Sequence, residues 1–244
     1  MKILAIGNSF SDDAMRYLSK LAHSQGDTMK CVNLMIGSCT LKQHYLNILD
    51  DECKYHFMFN GEGTGIYVSI REALKSDDWD VVTLQQASHC STDFESYIPY
   101  ITQLKDYIKR YSPKSKIYLH QTWSYENGSP KLSAMGYETS AQMFTDVENA
   151  YQKAAATICA DGLIPSGRAM QLLSETDRVH RDTFHATLGI GRFMLSLVWY
   201  MTLTGKSICG DFSTFPFDEP VRPDELERAT AAVAHTLQEV NKNG

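Results

Sequence analysis

The chain has 244 residues, 43% hydrophobic and 21% charged, which are the proportions of a globular protein in water. A single α/β domain of that size buries roughly 70–75% of its unfolded surface, so it needs neither a disulfide framework nor a structural metal. With 23 basic against 29 acidic residues the net charge is −6, and no basic block stands out; nucleic acid and an anionic membrane surface are therefore not expected as partners.

Residues 2–6 (KILAI) read as a buried strand that stops at Gly7-Asn8-Ser9. The pattern over 13–25 predicts a helix with Met15, Leu18, Leu21 and Ala22 on one face and Gly26 as its stop. Residues 29–36 (MKCVNLMI) form a second strand, and Gly37-Ser38-Cys39-Thr40 turns into a short helix, 41–49. In 54–70, aromatic alternation around Asn60-Gly61-Glu62-Gly63 predicts a β-hairpin excursion.

A short helix near 69–76 precedes the third strand, 79–85 (WDVVTLQ), and a helix at about 96–111 stops at Ser112-Pro113. Strand four is 116–123 (KIYLHQTW), a long helix spans roughly 138–159, and 162–165 is a short fifth strand. After a helix from about 167, the chain loops through RVHRDTFHAT, 178–187. Helices at 188–204 and 223–241 close the sequence, separated by an irregular return loop, 205–222.

Five nearly continuous apolar strands separated by helices predict a parallel sheet covered on both faces. Right-handed crossovers favour a doubly wound, three-layer α/β/α sandwich. Its five-stranded, mainly parallel sheet takes a flavodoxin-like order, with the hairpin as an addition. No repeat, low-complexity tract or linker divides the chain, so residues 1–244 are expected to form one domain. The first apolar run is too short for a signal-peptide core, and no apolar run reaches the roughly 18 residues that cross a bilayer. A cytoplasmic protein is the expectation. The six cysteines never form CxxC and show no zinc spacing, so reduced, mostly buried thiols are expected; Cys39 and Cys90 fall in loops near the site described next.

In an open parallel sheet, ligands bind beyond the carboxyl ends of the strands. Strand one ends at Gly7-Asn8-Ser9, strand two at Gly37-Ser38, strand three at Gln85-Gln86-Ala87-Ser88 and strand four at His120-Gln121-Thr122-Trp123. The loop after strand five carries Asp182 and His185. Ser9 has two readings, a helix N-cap or a reactive hydroxyl; Ser11 or Asp12 offers an alternative cap. A nucleophilic serine needs a base within hydrogen-bond reach and a third group that fixes the base. An Asp three residues before a His can bond Nδ1 and leave Nε2 facing outward, although Asp182 can equally cap the next helix. Acyl transfer also needs donors for an oxyanion. The N–H groups of Ser9 and Gly37 suit that task, and Gln85 or Gln86 adds a side-chain amide.

Together these blocks resemble the SGNH (GDSL-like) hydrolase superfamily across most of the chain. Ile6-Gly7-Asn8-Ser9-Phe10 stands where that family has its Gly-Asp-Ser nucleophile block, Gly37 matches its glycine oxyanion donor, and Asp182-Thr183-Phe184-His185 matches its DxxH block. IGNSFS, LQQAS, HQTW and the RDxxH–GR spacing look like a bacterial branch known only as a domain of unknown function. Two departures are visible. Asn8 replaces the family's Asp, and Gln85-Gln86-Ala87-Ser88 replaces its Gly-x-Asn-Asp block, with Gln86 the preferred amide donor.

The resemblance implies a cofactor-free serine esterase: Ser9 as nucleophile, His185 as base, Asp182 as orienting acid, and Ser9, Gly37 and Gln86 (or Gln85) as oxyanion donors. Phe10, Ser88, His120 and Trp123 are the expected substrate-binding residues, because polar and aromatic groups suit a sugar better than a long acyl tail. A small-molecule or glycan ester, acetyl above all, is the expected substrate. Two alternatives stand beside it: a noncatalytic carbohydrate- or ligand-binding protein on a decayed scaffold, and a metal phosphodiesterase built from His120, His180, Asp182 and His185.

Overall fold

Ile3, Leu4, Ala5 and Ile6 are at most 1% exposed, because β1 (Lys2–Gly7) lies in the middle of the sheet with neighbours on both edges. The computed structural model that shows this describes residues 1–243. After β1 come α1 (Ser9–Met15), α2 (Leu18–Ser24), β2 (Lys30–Met35) and α3 (Leu41–Asp50). The hairpin β3 (Tyr55–Phe59) and β4 (Glu62–Val68) leads through α4 (Ile70–Lys75) into β5 (Val81–Leu84). Two 3-10 turns, Ser88–Cys90 and Phe94–Tyr97, precede α5 (Tyr100–Tyr111) and β6 (Lys116–His120). The remainder is α6 (Pro130–Ala134), α7 (Ser140–Ile158), β7 (Gly162–Ile164), α8 (Ser166–Leu173), α9 (Ile190–Thr204) and α10 (Pro223–Asn243).

The sheet has seven strands in the order β4-β3-β2-β1-β5-β6-β7. The five strands expected from the sequence pair in parallel as β2-β1-β5-β6-β7, the doubly wound order that reverses beside β1. The sheet itself is larger and mixed, because the hairpin is no separate excursion: β3 pairs antiparallel with β2 and β4 with β3. A strand left at an edge exposes unpaired N–H and C=O groups, and β3 supplies partners for those of β2. Asn60 extends the match, donating its N–H to the Cys31 carbonyl at 2.7 Å and accepting the Cys31 N–H on Oδ1 at 2.9 Å. Asn60 and Gly61 have φ of 50° and 83°, the left-handed pair a tight two-residue hairpin needs.

Helices cover both faces. In one layer α9 touches α1, α2, α8 and α10; in the other α5 touches α3, α4 and α7. The helix expected over 13–25 is in fact two. It starts earlier, at Ser9, and breaks after Met15 so that Arg16 can bond the Gly61 carbonyl of the hairpin turn and Asp218 of the return loop, each at 2.7 Å. The short helix α6 had no sequence expectation. The thiols are all free, but Cys53, Cys159 and Cys209 are exposed, so burial describes fewer of them than expected. Among the described residues no helix is long and apolar enough to cross a membrane.

Candidate active site

At the end of β1 the chain turns so tightly that a Cβ on Gly7 would lie 2.4 Å from Ser11 Oγ; only glycine fits there. Asn8 then caps α1, its Oδ1 accepting the Phe10 N–H at 3.0 Å. The cap is therefore Asn8, not Ser9, Ser11 or Asp12, and Ser9 becomes the first residue of the helix with its hydroxyl free of the capping role. The same Oδ1 accepts Gln85 Nε2 at 2.8 Å, while Asn8 Nδ2 donates to the Cys39 carbonyl at 3.2 Å. An amide carries both donor and acceptor, which a carboxylate cannot. Asn8 thus joins the ends of β1 and β5 to the loop after β2, and the departure from Asp has a structural reason.

Ser9 and His185 lie 176 residues apart in sequence, yet His185 Nε2 is 2.8 Å from Ser9 Oγ. On the other side of the ring, His185 Nδ1 is 2.7 Å from Asp182 Oδ2. Asp182 Oδ1 accepts the backbone N–H of His185 at 2.8 Å, so one carboxylate fixes both the ring and the main chain that carries it. Between them Thr183 has φ of 74°, a costly conformation for a β-branched residue, and this reversal turns Asp182 back toward His185. The turn is held by Glu126, whose N–H donates to the Thr183 carbonyl at 2.8 Å, and by Ser129 Oγ, 3.1 Å from Thr183 Oγ1. Burial pushes the Asp182 carboxyl upward, but its hydrogen bonds from His185 and the Phe184 N–H more than offset that, leaving it below the ordinary carboxylate value. The acid is the exposed member: its side chain is 46% exposed, that of His185 17%.

The other expected residues divide. Gly37 follows β2 in an exposed turn, and a Cβ there would meet nothing within 4 Å, so its backbone is open to an approaching group. Gln86 is withdrawn from the donor set. Its Nε2 donates to the carbonyl and hydroxyl oxygens of Ser96, both at 3.1 Å, and its Oε1 accepts Leu41 and Ala87 N–H, both at 2.9 Å. Gln85 is buried too, with Oε1 2.6 Å from His120 Nδ1 and Nε2 on Asn8. Both amides close strand ends instead of facing a substrate.

Three of the four expected binding residues are also interior. His120 is fully buried, its Nε2 3.0 Å from Ser166 Oγ, and burial pushes its pKa down to about 3. Phe10 and Trp123 stack at 4.1 Å with planes 8° apart, filling the space below the site. Ser88 alone stays partly accessible, 3.0 Å from the Tyr125 hydroxyl.

His180, suggested as a metal ligand, lies 3.2 Å through Nε2 from the Ser124 carbonyl, and burial lowers its pKa to about 4. Among the described residues no group of three His, Cys, Asp or Glu side chains is arranged to hold a metal. Cys39 is buried, which pushes its thiol up to about 12, and burial also raises Cys90; neither carries thiolate character near neutral pH. A cavity of about 900 Å³ lies elsewhere, between α2, the hairpin and the return loop, lined by Lys20, His23, Phe59 and Phe212.

Sequence reading missed the charge network behind the loop. Asp13, with a side chain 0% exposed, accepts from Arg181 and Arg192, and Arg192 and Arg16 share Asp218. Arg181 and Arg192 are the arginines of the RDxxH–GR spacing, so the pattern was visible without its partner.

The chain matches the family described as "Domain of unknown function (DUF4886)" over residues 2–238. It belongs to that family. A DUF4886 family protein from Bacteroides uniformis is 31% identical, with 98% of this chain and 95% of that one covered at a TM-score of 0.88. At 21% identity and a TM-score of 0.61 the fold also matches a protein of Slackia heliotrinireducens assigned provisionally to the SGNH hydrolases, covering 83% of this chain and 98% of that one. Axe2, an acetylxylan esterase from Geobacillus stearothermophilus, shares the fold at a TM-score of 0.55 and 13% identity, over 86% of this chain and 97% of that one. No curated protein matches. The DUF4886 chain therefore has the fold of the SGNH hydrolases, and its likeness to them at these identities is one of fold.

Proposed function

We propose that the protein is a serine ester hydrolase that removes a small acyl group, acetyl above all, from a carbohydrate or similar polar substrate. The observation that carries this reading is the continuous hydrogen-bonded path from Ser9 Oγ through both nitrogens of His185 to Asp182. His185 Nε2 takes the Ser9 proton as Oγ bonds to the acyl carbon, and the carbonyl electrons move onto oxygen. In this reading the N–H groups of Ser9 and Gly37 are the donors to that oxyanion. Collapse expels the alcohol, which takes the proton from His185 and leaves an acyl-serine. Water then adds, giving its proton to His185, and the acid departs as the proton returns to Ser9. This route needs no metal or organic cofactor.

A small acyl group is preferred to a long tail because Phe10 and Trp123, the apolar side chains expected to line the site, are buried and stacked on each other. The acetylxylan esterase of the same fold supports a carbohydrate ester by analogy. A fluorophosphonate probe tests the class of reaction: one adduct on Ser9, lost in His185→Ala, is the expected result. A folded wild-type chain that takes up no label overturns the esterase and favours a binding protein. A panel of acetylated and methyl-esterified glycans then tests the substrate.

A further inference from the structure

Ser9 and Asp13 are four residues apart on α1, so their side chains leave the same face of the helix one turn apart. Ser9 meets the His185 ring, and Asp13 meets the chain just beyond it: Asp13 Oδ2 accepts the Ala186 N–H at 3.1 Å. Arg181, at the start of the same loop, donates from one nitrogen toward both Asp13 oxygens, at 2.9 and 3.0 Å, and toward the Ala186 carbonyl. Arg192 Nε, from α9, reaches Asp13 Oδ1 at 2.8 Å. Ala186 is thus held at its N–H by Asp13 and at its carbonyl by Arg181.

A buried ion network is a poor device for stability alone, since well-packed apolar residues often do as well. What it supplies is direction. Catalysis by a serine and a histidine depends on their separation to within about 1 Å, an error that can cost 10²-fold in rate. We propose that Asp13 is a positioning residue: from the helix that carries Ser9, its buried carboxylate grips Ala186 and Arg181 and so sets the distance between Ser9 and His185. The kinetic consequence rests on the hydrolase reading, whereas the geometry is readable without turnover.

Asp13→Asn keeps the shape and one acceptor oxygen but removes the charge. In the full chain, kcat for p-nitrophenyl acetate should fall about 10–100-fold with KM within about twofold, because the loss is of alignment and not of binding. The imidazole 15N resonances of His185 should move from their wild-type positions. Asp27→Asn, which removes ion pairing to Lys206 beyond α2, should leave both readouts unchanged. If the wild type hydrolyses the ester and Asp13→Asn matches its kcat, the proposal is overturned. If the wild type neither hydrolyses ester nor takes up phosphonate, the hydrolase reading fails; Asp13 is then judged on the His185 resonances, and unchanged resonances overturn it. Should Asp13→Asn not fold, Arg181→Gln, at the partly exposed partner, carries the same two readouts.

Discussion

Trp123 lies flat under Phe10, and its indole Nε1 donates to the Phe184 carbonyl at 2.7 Å, one residue before the catalytic histidine candidate. This hydrogen bond ties the floor of the site to the loop above it. Trp123→Phe keeps a stacking ring but leaves that carbonyl without its donor. Stability should fall by about 1–3 kcal/mol in urea unfolding, and ester hydrolysis should fall with it. An unchanged unfolding midpoint would show that the bond contributes nothing.

Ser9→Ala should abolish hydrolysis while leaving the thermal midpoint nearly unchanged, because Ser9 Oγ bonds only to His185 among the described residues. Asp182→Asn should cost less than His185→Ala, roughly 10–100-fold against at least about 10³-fold. Its carboxylate is close to half exposed, so solvent screens its charge, and Asn retains an oxygen for the His185 N–H. Steady-state rates with p-nitrophenyl acetate decide the order.

Gln86→Leu separates a structural amide from a reacting one. Removing it orphans the N–H groups of Leu41 and Ala87, so stability should drop by about 2–4 kcal/mol. A variant that kept full stability but lost kcat would return Gln86 to the oxyanion site.

Acid should weaken the fold before carboxylates titrate. Burial lowers His44 and His120 to about 3 and His180 to about 4, so each stays neutral in the folded chain where the unfolded chain protonates. Protons then bind the unfolded state preferentially, and stability declines as pH falls from about 6.5 toward 4, by up to roughly 1.4 kcal/mol per pH unit for each histidine. Asp182 and Asp218, whose carboxyls sit below their ordinary value, add their loss only below about pH 4. Urea midpoints at pH 7.5, 6 and 5 check this; a constant midpoint contradicts it.

Strand and helix periodicity along the chain determined the five parallel strands of the doubly wound core, because apolar runs and crossover handedness act locally and leave few topologies. The expectation that Ser9 meets Asp182-Thr183-Phe184-His185 rests instead on the resemblance of those motifs to the SGNH hydrolases. The tertiary structure alone decided what each polar or aromatic side chain does on arrival. Gln86, His120, Phe10 and Trp123 looked like site residues in sequence because strand ends carry both binding groups and the groups that close the core. Their burial and partners depend on neighbours far away in sequence, such as Trp123 stacked on Phe10 and Tyr151, whose hydroxyl meets the Gln86 N–H. Asp13 shows the converse: nothing local distinguishes it from Asp12, and only the return of Arg181 and Arg192 to its helix gives it a role, since charge pairing is set by distance in space and not along the chain.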